Sequence, residues 1–77
     1  MLQGGQALEN RLKELRKEFN LTQEQLADRL GVSRQTVISI EAGRYNPSLV
    51  LAYRLAKVFG RRIEEVFDFS SLEGEEK

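Results

Sequence analysis

Between Leu21 and Gly43 the chain carries two sets of helix start and stop signals divided by a single glycine. A stretch punctuated in this way fits two short helices joined by a tight turn. Thr22 followed by Gln25 is the pattern of a capping box, in which each side chain satisfies a backbone N–H at the other residue. Leu21 before the cap and Leu26 at the fourth helical position fit the hydrophobic staple that fixes the entering chain. Val32 and Val37 repeat the staple around Ser33. Gly31 and Gly43 can each take the left-handed conformation that ends a helix, because neither has a Cβ to clash. Within TQEQLADRLGVSRQTVISIEAG, small or apolar residues fall at Leu26, Ala27, Leu30, Val32, Val37 and Ile40, giving each helix one packing face. The expected helices run from about Gln23 to Leu30 and from Arg34 to Ala42.

The remaining periodicity is also helical, and no segment reads as a strand. Leu8, Leu12, Leu15 and Phe19 form one apolar stripe, which predicts a first helix from about Ala7 to Phe19 with Asn20 as its left-handed stop. After the loop Arg44-Tyr45-Asn46-Pro47, Pro47 and Ser48 open a fourth helix. Leu49, Ala52, Leu55, Ala56 and Phe59 make its inward face, and Gly60 closes it. A short fifth helix, about Ile63 to Phe67, is weakly capped because Arg62 stands where Ser, Thr, Asp or Asn is preferred. The expected fold is therefore all-α with five helices, organised as an N-terminal tail (1–6), one domain (7–68) and an acidic C-terminal tail (69–77).

Seventy-seven residues make one small domain, whose core supplies only a few kcal/mol of net stability unless something such as dimerisation reinforces it. The chain has neither Cys nor His, which removes disulfides, zinc ligation by its usual residues, thiol catalysis and imidazole acid-base chemistry together. No enzyme activity, metal or cofactor is expected. No apolar run approaches the roughly 20 residues of a membrane span, and MLQGGQ lacks the basic flank and hydrophobic stretch of a signal peptide, so the expected location is the cytoplasm. The formal net charge is zero, but residues 1–62 hold 11 Lys/Arg against 6 Asp/Glu, and residues 63–77 hold one Lys against six acids. A basic body of +5 and an acidic end of −5 suit an anionic partner met by the body, although an acidic tail is equally what a solvated terminus looks like.

At 100° per residue the third helix divides into two faces. Thr36, Val37 and Ile40 cluster on one side; Gln35, Ile38, Ser39 and Ala42 cluster on the other, with Arg34 at the first turn. The second face is not the Glu/Lys surface that solvent alone favours. Arg34 is a natural bidentate partner for guanine O6 and N7, Gln35 for adenine, and Ser39 is small and can donate or accept. Ile38 at its centre is either an apolar contact for a thymine methyl or an exposed side chain without a partner.

Residues 8 to 68, with LTQEQLA, LGVSRQTV and IEAGRYNPSL in order, resemble the phage-repressor and Cro-type (Xre family) helix-turn-helix DNA-binding domains. The resemblance implies a five-helix lambda-repressor-like fold with the helix-turn-helix at helices 2 and 3. It also implies sequence-specific binding of double-stranded DNA by a prokaryotic transcriptional regulator, a repressor, reading the major groove with residues 33–43. It places Arg34, Gln35 and Ser39 at base edges, and Ile38 joins them if it meets a thymine methyl. Gln23 would meet phosphate at the start of the second helix, joined by Ser33 and Thr36 and by the loop residues Arg44, Tyr45 and Asn46, whose bland role is loop-building. The loop departs from more basic relatives in having Arg44 as its one cation, which implies a lighter phosphate clamp. Arg16 and Glu41 would form an ion pair beneath the motif.

Ile63, Val66, Phe67, Phe69 and Leu72 are more apolar residues than one terminal helix needs. They are expected to supply a two-fold homodimer interface, with at least one of Val66 and Phe67 closing the domain's own core. An alternative stays open, an antitoxin-type DNA-binding protein whose C-terminal segment binds a protein partner.

Overall fold

The structure, a computed structural model, describes residues 8–73. The expected N-terminal tail (1–6), the start of the first helix at Ala7 and residues 74–77 of the acidic tail lie outside them. The chain runs β1 (Glu9–Asn10), α1 (Leu12–Glu18), α2 (Gln23–Leu30), α3 (Arg34–Glu41), α4 (Leu49–Val58), α5 (Ile63–Val66), β2 (Phe67–Asp68) and α6 (Ser70–Glu73). The lambda-repressor-like helical architecture is present. No described helix is long and apolar enough to cross a membrane.

The two central helices start and stop where local chemistry places them. Thr22 accepts from the Gln25 backbone N–H at 3.0 Å while the Gln25 side chain accepts from the Thr22 N–H at 2.9 Å. Ser33 caps α3 by accepting from the Thr36 N–H, and Ser48 caps α4 by accepting from Leu51. Gly31 ends α2 at φ 74°, and Asn20 follows α1 at φ 57°, the one non-glycine residue with positive φ among those described. At α5, Arg62 offers no capping side chain, and Glu65 supplies half a box by accepting from the Arg62 N–H at 2.7 Å.

Leu12, Leu26, Leu30, Val37, Ile40, Leu55 and Val66 are almost fully buried in one core to which every helix from α1 to α5 contributes. Leu21 and Val32, the outer halves of the two staples, pack partly buried against it. α2 packs on α3 and α4, α4 on α5, and α1 on α3.

Three expectations are corrected. The first helix begins at Leu12, not near Ala7, because Asn10 interrupts it. The Asn10 side-chain oxygen accepts from the Leu12 N–H at 3.0 Å, its amide donates to the Ile40 carbonyl at 2.9 Å, and its backbone pairs with Phe67. A side chain that offers the backbone a turn competes with the helix. The expectation of no strand fails at the same place: Glu9 and Asn10 pair antiparallel with Asp68 and Phe67, clamping the two ends of the domain together. Finally, Leu49 does not join the inward face of α4. It is 76% exposed, and Leu51 takes the buried place. As the first residue after the Ser48 cap, Leu49 lies at the open end of α4, where only one side meets the rest of the domain.

Beyond β2 the chain does not leave the domain at once. Phe69 is partly buried against the core, and Ser70–Glu73 form one helical turn, α6. Asp68 accepts from the Ser70 N–H at 2.9 Å, and that backbone bond, reinforced by the Ser70 hydroxyl, holds its carboxyl below the ordinary range.

Candidate nucleic-acid interface

The base of the helix pair is a part-buried polar cluster. Arg16 on α1 donates through Nε to Glu41 Oε2 at 2.6 Å and through Nη2 to Glu41 Oε1 at 3.3 Å, while Nη1 donates to the Leu21 carbonyl at 3.0 Å. The two side chains are only 11% and 6% exposed. Gln23, at the first position of α2, donates its amide to the same Glu41 Oε1 at 3.1 Å. One carboxylate at the end of α3 therefore ties the end of α1 and the start of α2 to one point. A guanidinium fork is suited to this because its donors are fixed in a plane that matches both carboxylate oxygens.

With that base fixed, Val37 and Ile40 point α3 into the core and leave its opposite face outward. Arg34 and Gln35 are exposed at the first turn, and Ile38 and Ser39 are half-buried in the middle. Among the described residues Arg34 forms no ion pair, so its guanidinium is free to meet a ligand. The side chains expected at base edges thus lie on one solvent-facing strip of a capped helix.

The residues expected at phosphates are placed less uniformly. Ser33 Oγ and Thr36 Oγ1 lie 3.0 Å apart in a hydrogen bond that uses one of their two hydroxyl protons. The other proton is left to donate outward. Gln23 is half-buried with its amide turned to Glu41, so its side chain braces the site from beneath while the α2 backbone start stays at the surface. Arg44 and Tyr45 are exposed in the loop after α3. Asn46 accepts from the Leu8 backbone N–H at 3.0 Å, which gives it a loop-building role between the N-terminal segment and α4.

Asn10 was not among the residues selected from the sequence. Its amide on the Ile40 carbonyl holds the end of α3 against the β pair. Its only sequence signal was an Asn in the first turn of the expected helix, two residues after Leu8.

Of the five residues expected at a two-fold interface, Val66 and Phe67 are 0% and 3% exposed in the chain's own core, so neither is offered to a partner. Ile63 and Phe69 are partly buried against that core, and Leu72 is largely exposed. Closing the domain uses α5 and β2 almost entirely.

Residues 12–66, which contain every element from α1 to α5, match the model of a family described as helix-turn-helix. Over 70 residues the chain is 51% identical to an uncharacterized HTH-type transcriptional regulator of Archaeoglobus fulgidus, covering 91% of this chain and 99% of that one. It is 39% identical over 67 residues to the immunity repressor protein of Bacillus phage phi105, covering 87% of this chain and 46% of the repressor. Among solved structures, the restriction-modification controller protein C.AhdI from Aeromonas hydrophila superposes with a TM-score of 0.66 at 40% identity, over 71% of this chain and 83% of that one.

Proposed function

The chain belongs to the helix-turn-helix family, and from that membership we propose that it is a sequence-specific double-stranded DNA-binding regulator of transcription, acting as a repressor, that inserts α3 into the major groove. The observation that carries the reading is the outward strip of α3. Arg34 and Gln35 stand free at its first turn, on a helix whose other face is buried and whose far end is held by the Arg16–Glu41 pair.

In this reading Arg34 addresses a guanine, Gln35 an adenine, and Ser39 and Ile38 the next base step, Ile38 against a thymine methyl. Ser33 and Thr36 give the outward hydroxyl proton, and Arg44 and Tyr45 the loop contacts, that fix register on the phosphates. Gln23 and Asn46 are reassigned from phosphate contact to support, since both side chains already have partners inside the domain. Two copies bind a two-fold operator, one per half-site, as the geometry of such motifs requires. No observation favours the antitoxin alternative.

The test is a selection of bound sequences from random duplexes followed by titration of the selected site. Enrichment of one motif, with affinity that falls steeply as salt rises, supports the reading; equal binding of all duplexes contradicts it.

A further inference from the structure

We infer that the N-terminal strap Leu8–Asn10 sets where the loop after α3 meets the DNA backbone, with Asn10 as its positioning residue. The inference deepens the operator reading above and rests on it, since it names what holds the phosphate contacts of that reading in place.

Seven residues, 42–48, separate the end of α3 at Glu41 from the start of α4 at Leu49. Arg44 and Tyr45 are exposed within this loop, and Arg44 forms no ion pair among the described residues. A side chain on such a loop contributes affinity only to the extent that its backbone is already ordered, because ordering a residue on binding costs conformational entropy. The loop therefore needs an anchor.

The strap grips the loop on both sides of those two residues. Before them, the Asn10 amide donates to the Ile40 carbonyl at 2.9 Å, and the same carbonyl accepts at 3.0 Å from the N–H of Gly43, where the loop departs. After them, the Asn46 side-chain oxygen accepts from the Leu8 N–H at 3.0 Å. The two grips lie two residues apart on the strap, at most about 7 Å along the chain. One short segment thus brackets Arg44 and Tyr45.

The strap in turn takes its position from the core and not from the loop. Its backbone pairs with β2, Glu9 opposite Asp68 and Asn10 opposite Phe67, and the Arg11 N–H donates to the Val66 carbonyl at 2.8 Å. Val66 and Phe67 are buried. The Asn10 oxygen accepts from the Leu12 N–H at 3.0 Å, which ties the same side chain to the start of α1. The reach of Arg44 and Tyr45 toward phosphate is therefore inherited from β2 and α1 before DNA arrives. Base reading is served separately: Arg34 and Gln35 stand at the other end of α3, where Ser33 caps the helix. Loosening the strap should then weaken every sequence and leave the preferred motif alone.

The experiment combines DNA titration across salt concentrations with amide exchange of the free protein, using the full chain and duplexes taken from the selection. Asn10→Ser keeps a short oxygen beside the Leu12 N–H but cannot reach Ile40, so it spares the start of α1. It is expected to weaken all duplexes about tenfold, with the motif unchanged and the salt slope lower by about one per half-site. Asn46→Ala, which releases the Leu8 N–H, is expected to act in the same direction. Adding Asn10→Ser to Arg44→Ala is expected to weaken binding by no more than about threefold, the share left to Tyr45, because the main contact that the strap positions is already gone. In the free protein, exchange at the Gly43 and Arg44 amides is expected to rise about tenfold while the α2 amides keep their rates.

Urea melts give the folded fraction of each variant, and the affinities are corrected for it. A residue that serves stability alone would show no loss after that correction, or a loss that multiplies in full with that of Arg44→Ala, and either result overturns the inference. A wild type that binds no duplex overturns the operator reading. Unchanged exchange at Gly43 and Arg44 in Asn10→Ser overturns the strap whatever the DNA result, so the two failures are told apart.

Discussion

Replacing Arg16 by alanine removes three contacts together: the 2.6 and 3.3 Å bonds to Glu41 and the 3.0 Å bond to the Leu21 carbonyl. Glu41 is then left with the Gln23 amide alone, and with a side chain only 6% exposed it has little access to replacement water. An exposed ion pair is worth about 0–1 kcal/mol. A buried one whose partner is deleted costs about 3–5 kcal/mol, and the burial here puts the pair near that second range. For a domain of this size, with about 4–8 °C of midpoint per kcal/mol, the loss corresponds to a fall of at least about 12 °C. Glu41→Ala should cost less, because Arg16 keeps the Leu21 carbonyl and its longer side chain, 11% exposed, can reach solvent. Arg16→Met with Glu41→Leu removes both charges and should recover at least half of the Arg16→Ala loss. Urea unfolding of the wild type, Arg16→Ala, Glu41→Ala and the double variant that combines these two substitutions closes the cycle, and Arg16→Met with Glu41→Leu is measured beside it. Single costs below about 1 kcal/mol that simply add in the double variant would refute the reasoning, and the pair would then be no more than a surface contact.

Other consequences can be checked directly. Arg34→Ala or Gln35→Ala should cost about 1–3 kcal/mol at the preferred operator and relax base preference, whereas Arg44→Ala should weaken all duplexes alike and lower the salt slope by about one per half-site; competition binding across salt concentrations separates the two behaviours. Leu51→Ala should destabilise the fold by about 2–5 kcal/mol, while Leu49→Ala in dilute protein should change stability by less than about 0.5 kcal/mol, as measured by urea melts. Asn10→Ala leaves the Ile40 carbonyl and the Leu12 N–H without their partner and should cost about 1–3 kcal/mol, with amide exchange rising first at the two ends of the β pair.

The helices α2 and α3 were legible because each boundary is set by residues within four positions of it: a cap, a staple, a glycine. Their outward and inward faces follow from the same spacing, so the strip holding Arg34 and Gln35 was readable as a surface. The features that were missed depend on residues distant in the chain. Nothing near Asn10 announces that its backbone pairs with Phe67 or that its amide meets Ile40, so the stripe from Leu8 to Phe19 read as one helix. Leu49 and Leu51 could not be ranked by periodicity alone, because burial at the first turn of α4 depends on where its neighbours stop. Gln23 at a helix start suits an anion equally well whether that anion is a phosphate or, as in the fold, the carboxylate of Glu41. At least one of Val66 and Phe67 was expected in the core; that both are there follows only from the assembly of α1, α4 and α5, which opens the volume they fill.

The central claim, that the free strip of α3 reads base sequence, is tested most directly by comparing the motif selected from random duplexes by the wild type with that selected by Arg34→Ala at about 50 mM salt. The account predicts that the wild type enriches two half-sites related by a two-fold axis and centred about one helical turn apart, and that Arg34→Ala loses preference at one symmetric pair of positions while keeping the rest. No enrichment by the wild type, or an unchanged motif from Arg34→Ala, would contradict it.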